Sequence, residues 1–168
     1  MTGDRLPLRP NVGACLFNRD GLVLVARRAD ISANAPMGEG DAHAWQLPQG
    51  GLDRGEDPVE GVMRELSEEI GTRNAVILGR MAEWLDYDLP AHLIGKALGG
   101  KFRGQTQMWF ALRFLGEDSE IRLDADEHPE FDTWRWAPLA ELPGLAVPFR
   151  RPIYQRLAQD FARYAVPG

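Results

Sequence analysis

Apolar residues between Pro58 and Gly71 recur with the spacing of one face of an α-helix. They are Val59, Val62, Met63, Leu66 and Ile70. This spacing is typical of a helix that packs one side against a core. Asp57 is a good N-cap, Pro58 suits the first helical position, and Gly71 is placed to end the helix. We therefore predict a helix that begins at Pro58, ends before Gly71 and buries this apolar face.

Shorter apolar runs predict strands on both sides of the helix. Residues 12–17 and 22–26 flank the sequence Asn18-Arg19-Asp20-Gly21, in which Asp-Gly is a strong hairpin-turn signal. We predict two antiparallel strands there and a short third strand at residues 45–47. Further strands are predicted at residues 75–84, 105–114 and 131–136.

The remaining segments complete the predicted architecture. Residues 29–44 are rich in Gly, Ala and Pro and are expected to form a surface loop, whereas residues 149–164 are expected to form a last helix. Strands around one central helix, followed by a C-terminal helix, indicate an α/β fold: an α/β/α sandwich with a central mixed β-sheet. A chain of 168 residues fits a single domain spanning residues 1–168.

Composition narrows the class of protein. The net charge is −6, which argues against broad coating of DNA or long RNA through a basic surface. The N-terminus has no apolar signal-peptide core, and no apolar stretch reaches membrane-spanning length, so we expect a cytoplasmic protein without a membrane. Cys15 is the only cysteine, and the three histidines lack metal-ligand spacing. Disulfide, thiolate-metal and histidine-based chemistry are therefore disfavoured.

Three glutamates on the predicted helix carry the candidate chemistry. At about 100° per residue, Glu65, Glu68 and Glu69 fall on a flank beside the apolar stripe, so their carboxylates should converge within about one turn. Glutamates on a helix are most often a solvated face, which is the alternative interpretation. Carboxylates that do converge need a cation, and hard oxygen ligands suit Mg²⁺, Mn²⁺ or another divalent ion. Metal-assisted attack of water on a pyrophosphate is the chemistry that follows.

The segment that contains these glutamates reads GGLDRGEDPVEGVMRELSEEIG. Its fixed positions are Gly50, Glu56, Arg64, Glu65, Leu66, Glu68, Glu69 and Gly71. This pattern resembles the signature box of the Nudix hydrolases, which would span residues 50–72. One position departs from the box, because Thr72 stands where that family usually has Ile, Leu or Val. The resemblance implies an enzyme that hydrolyses phosphoric anhydride bonds, and it implies the same mixed-sheet fold.

The resemblance also implies roles for residues of the box. Glu65, Glu68 and Glu69 would be metal ligands and catalytic residues, and Gly50 would allow its backbone to approach the metal. Arg64 would orient Glu56 through a bidentate pair, the alternative being an ordinary surface ion pair. Glu65 is the first choice for the general base, although ligand and base can interchange among Nudix members.

Segments outside the box sharpen the resemblance toward one branch of the family, the bacterial enzymes that act on RNA 5′ ends and on diadenosine tetraphosphate. These segments are Arg9-Pro10-Asn11-Val12-Gly13, Ala26-Arg27-Arg28, Trp45-Gln46-Leu47-Pro48-Gln49-Gly50-Gly51, Trp84-Leu85-x-Tyr87-x-Leu89-Pro90, Gly104-Gln105-x-Gln107-x-Trp109-Phe110 and Pro129-Glu130-Phe131-x-x-Trp134-x-Trp136. In that branch a carboxylate distant in sequence joins the metal site, and Glu130 occupies the matching position. The alternative is that Glu130 belongs to an ordinary solvated acidic loop, which would have the same local sequence.

The same branch implies residues that bind substrate. Arg9 and Arg28 would hold the polyphosphate, and Arg150 would contact a nearby phosphate. Tyr87 and Phe149 would stack on the first base, an interaction that tolerates any base. The alternative for each of these aromatic residues is a structural role, in the core or at its rim.

The resulting functional hypothesis is a Mg²⁺-dependent pyrophosphohydrolase that removes pyrophosphate from triphosphorylated RNA and leaves a 5′-monophosphate. One alternative is a dinucleoside polyphosphate hydrolase that splits diadenosine tetraphosphate into ATP and AMP. An alternative from another class is a non-catalytic Nudix module that senses a nucleotide. Four retained acidic residues argue against this last alternative, because they repel one another without a metal. We expect a monomer.

Overall fold

The computed structural model describes residues 6–28 and 45–168. The strands in that part of the chain are β1 (Leu8–Phe17), β2 (Val23–Arg28), β3 (Trp45–Gln46), β4 (Gln49–Gly51), β5 (Ala75–Arg80), β6 (Leu85–Asp88), β7 (Gly104–Phe114) and β8 (Phe131–Ala137). The α-helices are α1 (Pro58–Ile70), α2 (Leu142–Leu145) and α3 (Arg151–Asp160). Short 3₁₀ turns lie at Ala91–Leu93, Leu98–Gly100, Asp118–Glu120, Leu139–Glu141, Pro148–Arg150 and Ala162–Tyr164. The surface loop expected at residues 29–44 lies outside the described residues.

The strands form one mixed sheet, as expected. Its central pair, β1 and β7, is parallel over the full length of β1, from Leu8 opposite Gly104 to Phe17 opposite Arg113. The order across the sheet is β3, β2, β1, β7, β5, while β4 pairs with β1, β6 with β7 and β8 with β2. The parallel pair brings the beginnings of β1 and β7 to the same end of the sheet, and this end carries the candidate site described below.

The hairpin prediction for β1 and β2 is confirmed in direction but not in extent. The two strands are antiparallel, yet their direct pairing is confined to Phe17 and Val23 beside the turn. Beyond that point β1 pairs with β7, and β2 pairs with β8 along its whole length. The turn fixes strand direction locally, whereas burial of the apolar side chains decides which strands pair farther along.

Helix α1 has the predicted ends. The side chain of Asp57 accepts a hydrogen bond from the backbone N–H of Val59, and Gly71 adopts the left-handed conformation at φ 73°. Val62, Leu66 and Ile70 are fully buried against the sheet, as the apolar spacing predicts. Val59 is an exception at 37% exposure, because the first turn of the helix extends past the edge of the core.

The strand predicted at residues 75–84 is wrong in its second half. Strand β5 ends at Arg80, residues 82–84 are exposed, and the chain returns to the sheet as β6. The last predicted helix is likewise divided, into a 3₁₀ turn at Pro148–Arg150, helix α3 and a second 3₁₀ turn. The predictions at residues 105–114 and 131–136 agree with β7 and β8.

The hydrophobic core fills the space between the sheet and the helices, giving an α/β/α sandwich. Helix α1 packs on β1 and β4, and α3 packs near β6. Tyr154 of α3 meets the indole of Trp109 on β7 edge to face, with ring centroids 6.1 Å apart. In residues 6–28 and 45–168, every helix is too short or too polar to cross a membrane.

Candidate active site

Helix α1 presents Glu65 and Glu69 to strand β4, one helical turn apart. Both residues are buried, at 8% and 7% exposure. A β-carbon at Gly50 would overlap the carboxylate of Glu65, so only glycine lets β4 pass this close to the helix. The backbone N–H of Gln49 donates a 3.2 Å hydrogen bond to Glu69 Oε2. Strand β4 and helix α1 thus hold two carboxylates side by side.

Glu130, which precedes β8, joins these two carboxylates from a distant part of the sequence. Its carboxyl group lies within hydrogen-bonding reach of that of Glu69. Burial, followed by repulsion from Glu130 and Glu65, raises the pKa of Glu69 well above its usual value. Burial is also the main cause of the raised pKa of Glu65, which the charge of Arg64 partly opposes. Simultaneous ionisation of all the carboxyl groups in this cluster is therefore unfavourable.

The chemistry of this cluster fits a bound divalent cation. Glu69 Oε1 is buried and accepts no hydrogen bond from any residue in the described chain. Carboxylate oxygens are the ligands that small, hard cations prefer. Within residues 6–28 and 45–168, however, no three acidic, His or Cys side chains are already arranged around a metal position. Arg64 donates to one of the two oxygens of Glu65, Oε1.

Arg64 connects the helix to the loop that precedes it. Its Nε and Nη2 donate to the two oxygens of Glu56 at 2.8 and 2.9 Å, which is a bidentate pair. Its Nη2 also donates to the Gly51 carbonyl at 2.9 Å, and its Nη1 donates to Glu65 Oε1 at 2.9 Å. The Arg64 and Glu56 side chains are only 23% and 14% exposed, so this is not an ordinary surface ion pair.

Glu68 lies close to Glu65, since Arg64 Nη1 donates to both carboxylates, but unlike Glu65 and Glu69 it is not buried. Its side chain is 45% exposed, and Arg64 Nη1 donates to its carboxylate at 3.1 Å. On a helix, Glu65 lies between Glu68 and Glu69, which are about 100° apart in projection. The face that buries Glu69 therefore turns Glu68 outward, to the rim of the site.

The Glu56–Arg64 pair predicts a loss of stability in acid. Hydrogen bonds from Arg64, and then from the Asp53 backbone, lower the pKa of Glu56 from 4.5 to about 2. When the pKa of a carboxyl group is lower in the folded state than in the unfolded state, its ionised form stabilises the fold at pH values above the unfolded-state pKa. This stabilisation is lost as the pH falls toward the folded-state pKa. We expect the wild type to exceed Glu56→Gln in free energy of unfolding at neutral pH. Urea unfolding at stepped pH should show this difference shrinking below about pH 4.5, and a constant difference would contradict the ionised pair.

A cavity of about 290 Å³ brings the acidic residues together with three arginines. It is lined by Glu65, Glu69 and Glu130 and also by Arg9, Arg28 and Arg150. The guanidinium of Arg9 packs so closely on Gly51 that a β-carbon there would overlap it. Carboxylates that can bind a cation and guanidiniums that can bind an anion thus share one space, which suits a metal-bound polyphosphate.

A second cavity, of about 420 Å³, adjoins the first. The two share Arg28, Leu98 and Arg150 as lining residues, and the second is also lined by Tyr87 and Phe149. The two aromatic rings are in contact, with centroids 5.6 Å apart and planes tilted by 38°. A base therefore cannot lie between the rings as they stand. It would have to stack on a face that the two rings leave open.

Sequence reasoning gave no role to several buried polar residues of the site. Gln105 lines the first cavity with an Oε1 that no described residue donates to, while its Nε2 donates to the hydroxyl of Tyr87. Gln46, 3% exposed, accepts a 2.7 Å hydrogen bond from Arg150 Nη1. A usable signal was present, because Gln105 and Gln107 lie two residues apart on strand β7, directly before its buried apolar run.

Comparisons with known proteins show which proteins the chain is similar to. A family model described as NUDIX domain matches residues 7–157. The chain is 59% identical to an RNA pyrophosphohydrolase of Acidiphilium cryptum, over 98% of this chain and 97% of that protein. It is 58% identical to an RNA pyrophosphohydrolase of Gluconacetobacter diazotrophicus, over 97% and 96% of the two chains.

A solved structure shows the same fold at low sequence identity. The MutT protein from Methanosarcina mazei superimposes with a TM-score of 0.65 at 22% identity, covering 93% of this chain and 96% of that one. The family model spans most of the sequence, and the two curated relatives match it nearly end to end. The chain therefore belongs to the family of Nudix hydrolases.

Proposed function

We propose that the chain is a metal-dependent RNA pyrophosphohydrolase that removes pyrophosphate from triphosphorylated RNA 5′ ends. The observation that carries this proposal is the pair of adjoining cavities, the first lined by the carboxylates and arginines and the second by Arg28, Arg150 and the aromatic pair. This arrangement matches the order of groups along a 5′ end, namely polyphosphate and then nucleoside. Relatives more than 50% identical over nearly the whole chain bear the name RNA pyrophosphohydrolase.

Nudix hydrolases in general use a divalent metal, and we propose Mg²⁺ for this chain. The residues that would hold it are Glu65, Glu69 and Glu130, with the Gly50 backbone beside them and Glu68 at the rim. Bound there, the ion would neutralise phosphate charge and acidify the attacking water. The buried, donor-free Glu69 Oε1 supports this assignment.

The reaction consumes one water. Its oxygen bonds to the α-phosphorus, the bond from that phosphorus to the bridging oxygen breaks, and pyrophosphate leaves with that oxygen. The water's proton passes to a carboxylate, for which we propose Glu65. Removal of the two outer phosphates as orthophosphate in two steps would give the same 5′-monophosphate RNA. Arg64 would act by positioning, since it ties Glu65 to Glu56 and to the Gly51 carbonyl.

The remaining residues would bind substrate. Arg9, Arg28 and Arg150 line the space beside the carboxylates, where their guanidiniums can pair with phosphate oxygens. The aromatic pair, Tyr87 and Phe149, would support the first base. Because Arg28 and Arg150 line both cavities, they stand where the polyphosphate meets the nucleoside.

Gln46 should matter to catalysis only through Arg150. Gln46 fixes one end of the guanidinium, and Arg150 Nε is buried without a partner among the described residues, so it is available to a ligand. We expect Gln46→Met, which keeps the volume but removes the acceptor, to raise KM about fivefold with little change in kcat. In an Arg150→Ala background the same substitution should have almost no effect, as a double-mutant cycle would show. Equal effects in both backgrounds would contradict this positioning role.

The experiment that tests the function compares kcat/KM on a short 5′-triphosphate RNA with kcat/KM on diadenosine tetraphosphate, at fixed Mg²⁺. Preference for RNA is the expected result. Preference for the dinucleotide would instead indicate a dinucleoside polyphosphate hydrolase that yields ATP and AMP. Nucleotide binding that survives a chelator, with no turnover of either substrate, would indicate a sensing module.

A further inference from the structure

Three buried side-chain amides at the cavity end of the sheet are joined by hydrogen bonds. They belong to Asn11 on β1, Gln49 on β4 and Gln107 on β7. Asn11 and Gln107 lie directly opposite each other in the parallel pair of strands. Gln107 Nε2 donates to Asn11 Oδ1 at 3.0 Å and to Gln49 Oε1 at 2.8 Å. The reaction proposed above uses none of these three side chains.

The indole of Trp109 decides which way the Gln107 amide points. Its Nε1–H can only donate, and it lies 3.2 Å from Gln107 Oε1. Gln107 must therefore turn its oxygen toward the indole and its NH₂ group toward Asn11 and Gln49. The indole is fully buried and packs over Gly13, where a β-carbon would overlap the ring. The donor that orients Gln107 is thus held in a fixed position.

The orientation of Gln107 fixes the orientation of its two partners in turn. Because the NH₂ group of Gln107 only donates, Asn11 and Gln49 must meet it with their oxygens and turn their nitrogens away. Both residues line the 290 Å³ cavity with the arginines and glutamates. Among residues 6–28 and 45–168, no group accepts a hydrogen bond from Asn11 Nδ2 or Gln49 Nε2. Two NH₂ groups in the wall of this cavity are therefore available to a ligand.

We propose that Asn11 and Gln49 bind the substrate polyphosphate through these NH₂ groups, and that Gln107 is the positioning residue that orients them. The proposal rests on the proposed function, which places a polyphosphate in this cavity. Phosphate oxygens accept hydrogen bonds, so an amide flipped by half a turn would present an oxygen and repel them. The Trp109 indole prevents that flip through Gln107. Neutral donors also add hydrogen bonds to phosphate without forming ion pairs with the neighbouring glutamates, as further arginines would.

The test measures binding, so that it does not depend on turnover. The ligand is a nucleoside 5′-triphosphate with a methylene group in place of the α–β bridging oxygen, and its Kd is measured at saturating Mg²⁺. The variants are Gln49→Met and Gln107→Met, since methionine has nearly the volume of glutamine but no amide. The matched control is Gln159→Met, the same exchange at an exposed position of α3. A second readout is the Kd of Mg²⁺ alone, obtained from the rise in Tm that it causes without nucleotide.

We expect the triphosphate Kd to rise about tenfold in Gln49→Met and in Gln107→Met, and to stay unchanged in Gln159→Met. The Kd of Mg²⁺ should change less than twofold in Gln49→Met, because position 49 keeps the backbone N–H that bonds Glu69. The double variant should bind more tightly than the product of the two single effects predicts, because Gln107 acts partly through Gln49.

An unchanged triphosphate Kd in Gln49→Met would overturn the proposal. So would an equal loss of Mg²⁺ affinity, which would mean that the network only holds β4 and Glu69 in place. Gln107→Met leaves the Trp109 N–H unpaired, and if that variant does not fold, Gln49→Met still decides the role of the NH₂ groups. Failure of the proposed function would be seen separately, as absence of turnover of triphosphate RNA by a protein that still binds the analogue.

Discussion

Replacing Glu69 with Gln should lower kcat/KM by about a thousandfold or more, while the fold remains intact. The substitution keeps the shape of the side chain but removes the charge of a carboxyl group that has one buried oxygen without a donor and lies within hydrogen-bonding reach of Glu130. A cation at this cluster would lose a central ligand, and the charge it places on the phosphates would be lost with it. Steady-state assays over a Mg²⁺ titration measure the effect.

Thermal unfolding of the same variant separates metal binding from folding. Without metal, Glu69→Gln should be at least as stable as the wild type at neutral pH, because burial and Glu130 both oppose a charge at this position. Added Mg²⁺ should raise the Tm of the wild type and raise that of the variant much less. The matched control is Glu60→Gln, an exposed glutamate in the first turn of the same helix. Wild-type activity in Glu69→Gln would refute the metal-site assignment.

Replacing Arg64 with Ala should reduce both stability and activity. The change leaves Glu56 without its bidentate partner, the Gly51 carbonyl without a donor, and Glu65 without a counter-charge. We expect the free energy of unfolding to fall by about 2–3 kcal/mol, since a mostly buried charge loses its partner. The value of kcat should fall about a hundredfold, because β4 and helix α1 would no longer hold the carboxylates in register.

Two further variants make this second prediction specific. Arg64→Lys restores a charge but not the planar fork, so it should recover only part of the stability and little of the activity. Arg156→Ala removes an arginine whose pairs with Glu83 and Asp160 lie on the exposed face of α3, and it should change stability little. Urea unfolding and kcat/KM measured together would show this contrast. An Arg64→Ala protein as stable as Arg156→Ala would mean that Arg64 is an ordinary surface charge.

The local part of the site could be predicted because helix geometry depends on neighbouring residues alone. Residues within about one helical turn are enough to predict the cap at Asp57 and the end at Gly71. The same holds for the buried face of Val62, Leu66 and Ile70. The bidentate pair of Arg64 with Glu56 was implied by the family resemblance, and it is present in the structure. The family resemblance supplied Glu130, for which the local sequence alone favoured an ordinary acidic loop.

The tertiary structure decided which of the three helix glutamates face the cavity. Spacing places Glu65, Glu68 and Glu69 within one turn, but the depth at which α1 packs on β4 buries two of them and leaves Glu68 at the rim. The same limit applies to residues 75–84, whose apolar pattern does not show that the chain leaves the sheet at residues 82–84. Burial depends on what packs against a surface, and a single segment does not contain that information.

By itself, then, the sequence determined the helix, the type of chemistry its carboxylates can support and most of the strands, because these depend on residues close together in the chain. Only the tertiary structure decided that β1 runs parallel to β7. This pairing brings Gln105 to the cavity that Glu65 and Glu69 also line. The contact between Tyr87 and Phe149 was decided in the same way. These residues are far apart in sequence, so their distances are set by strand register and core packing rather than by any local pattern.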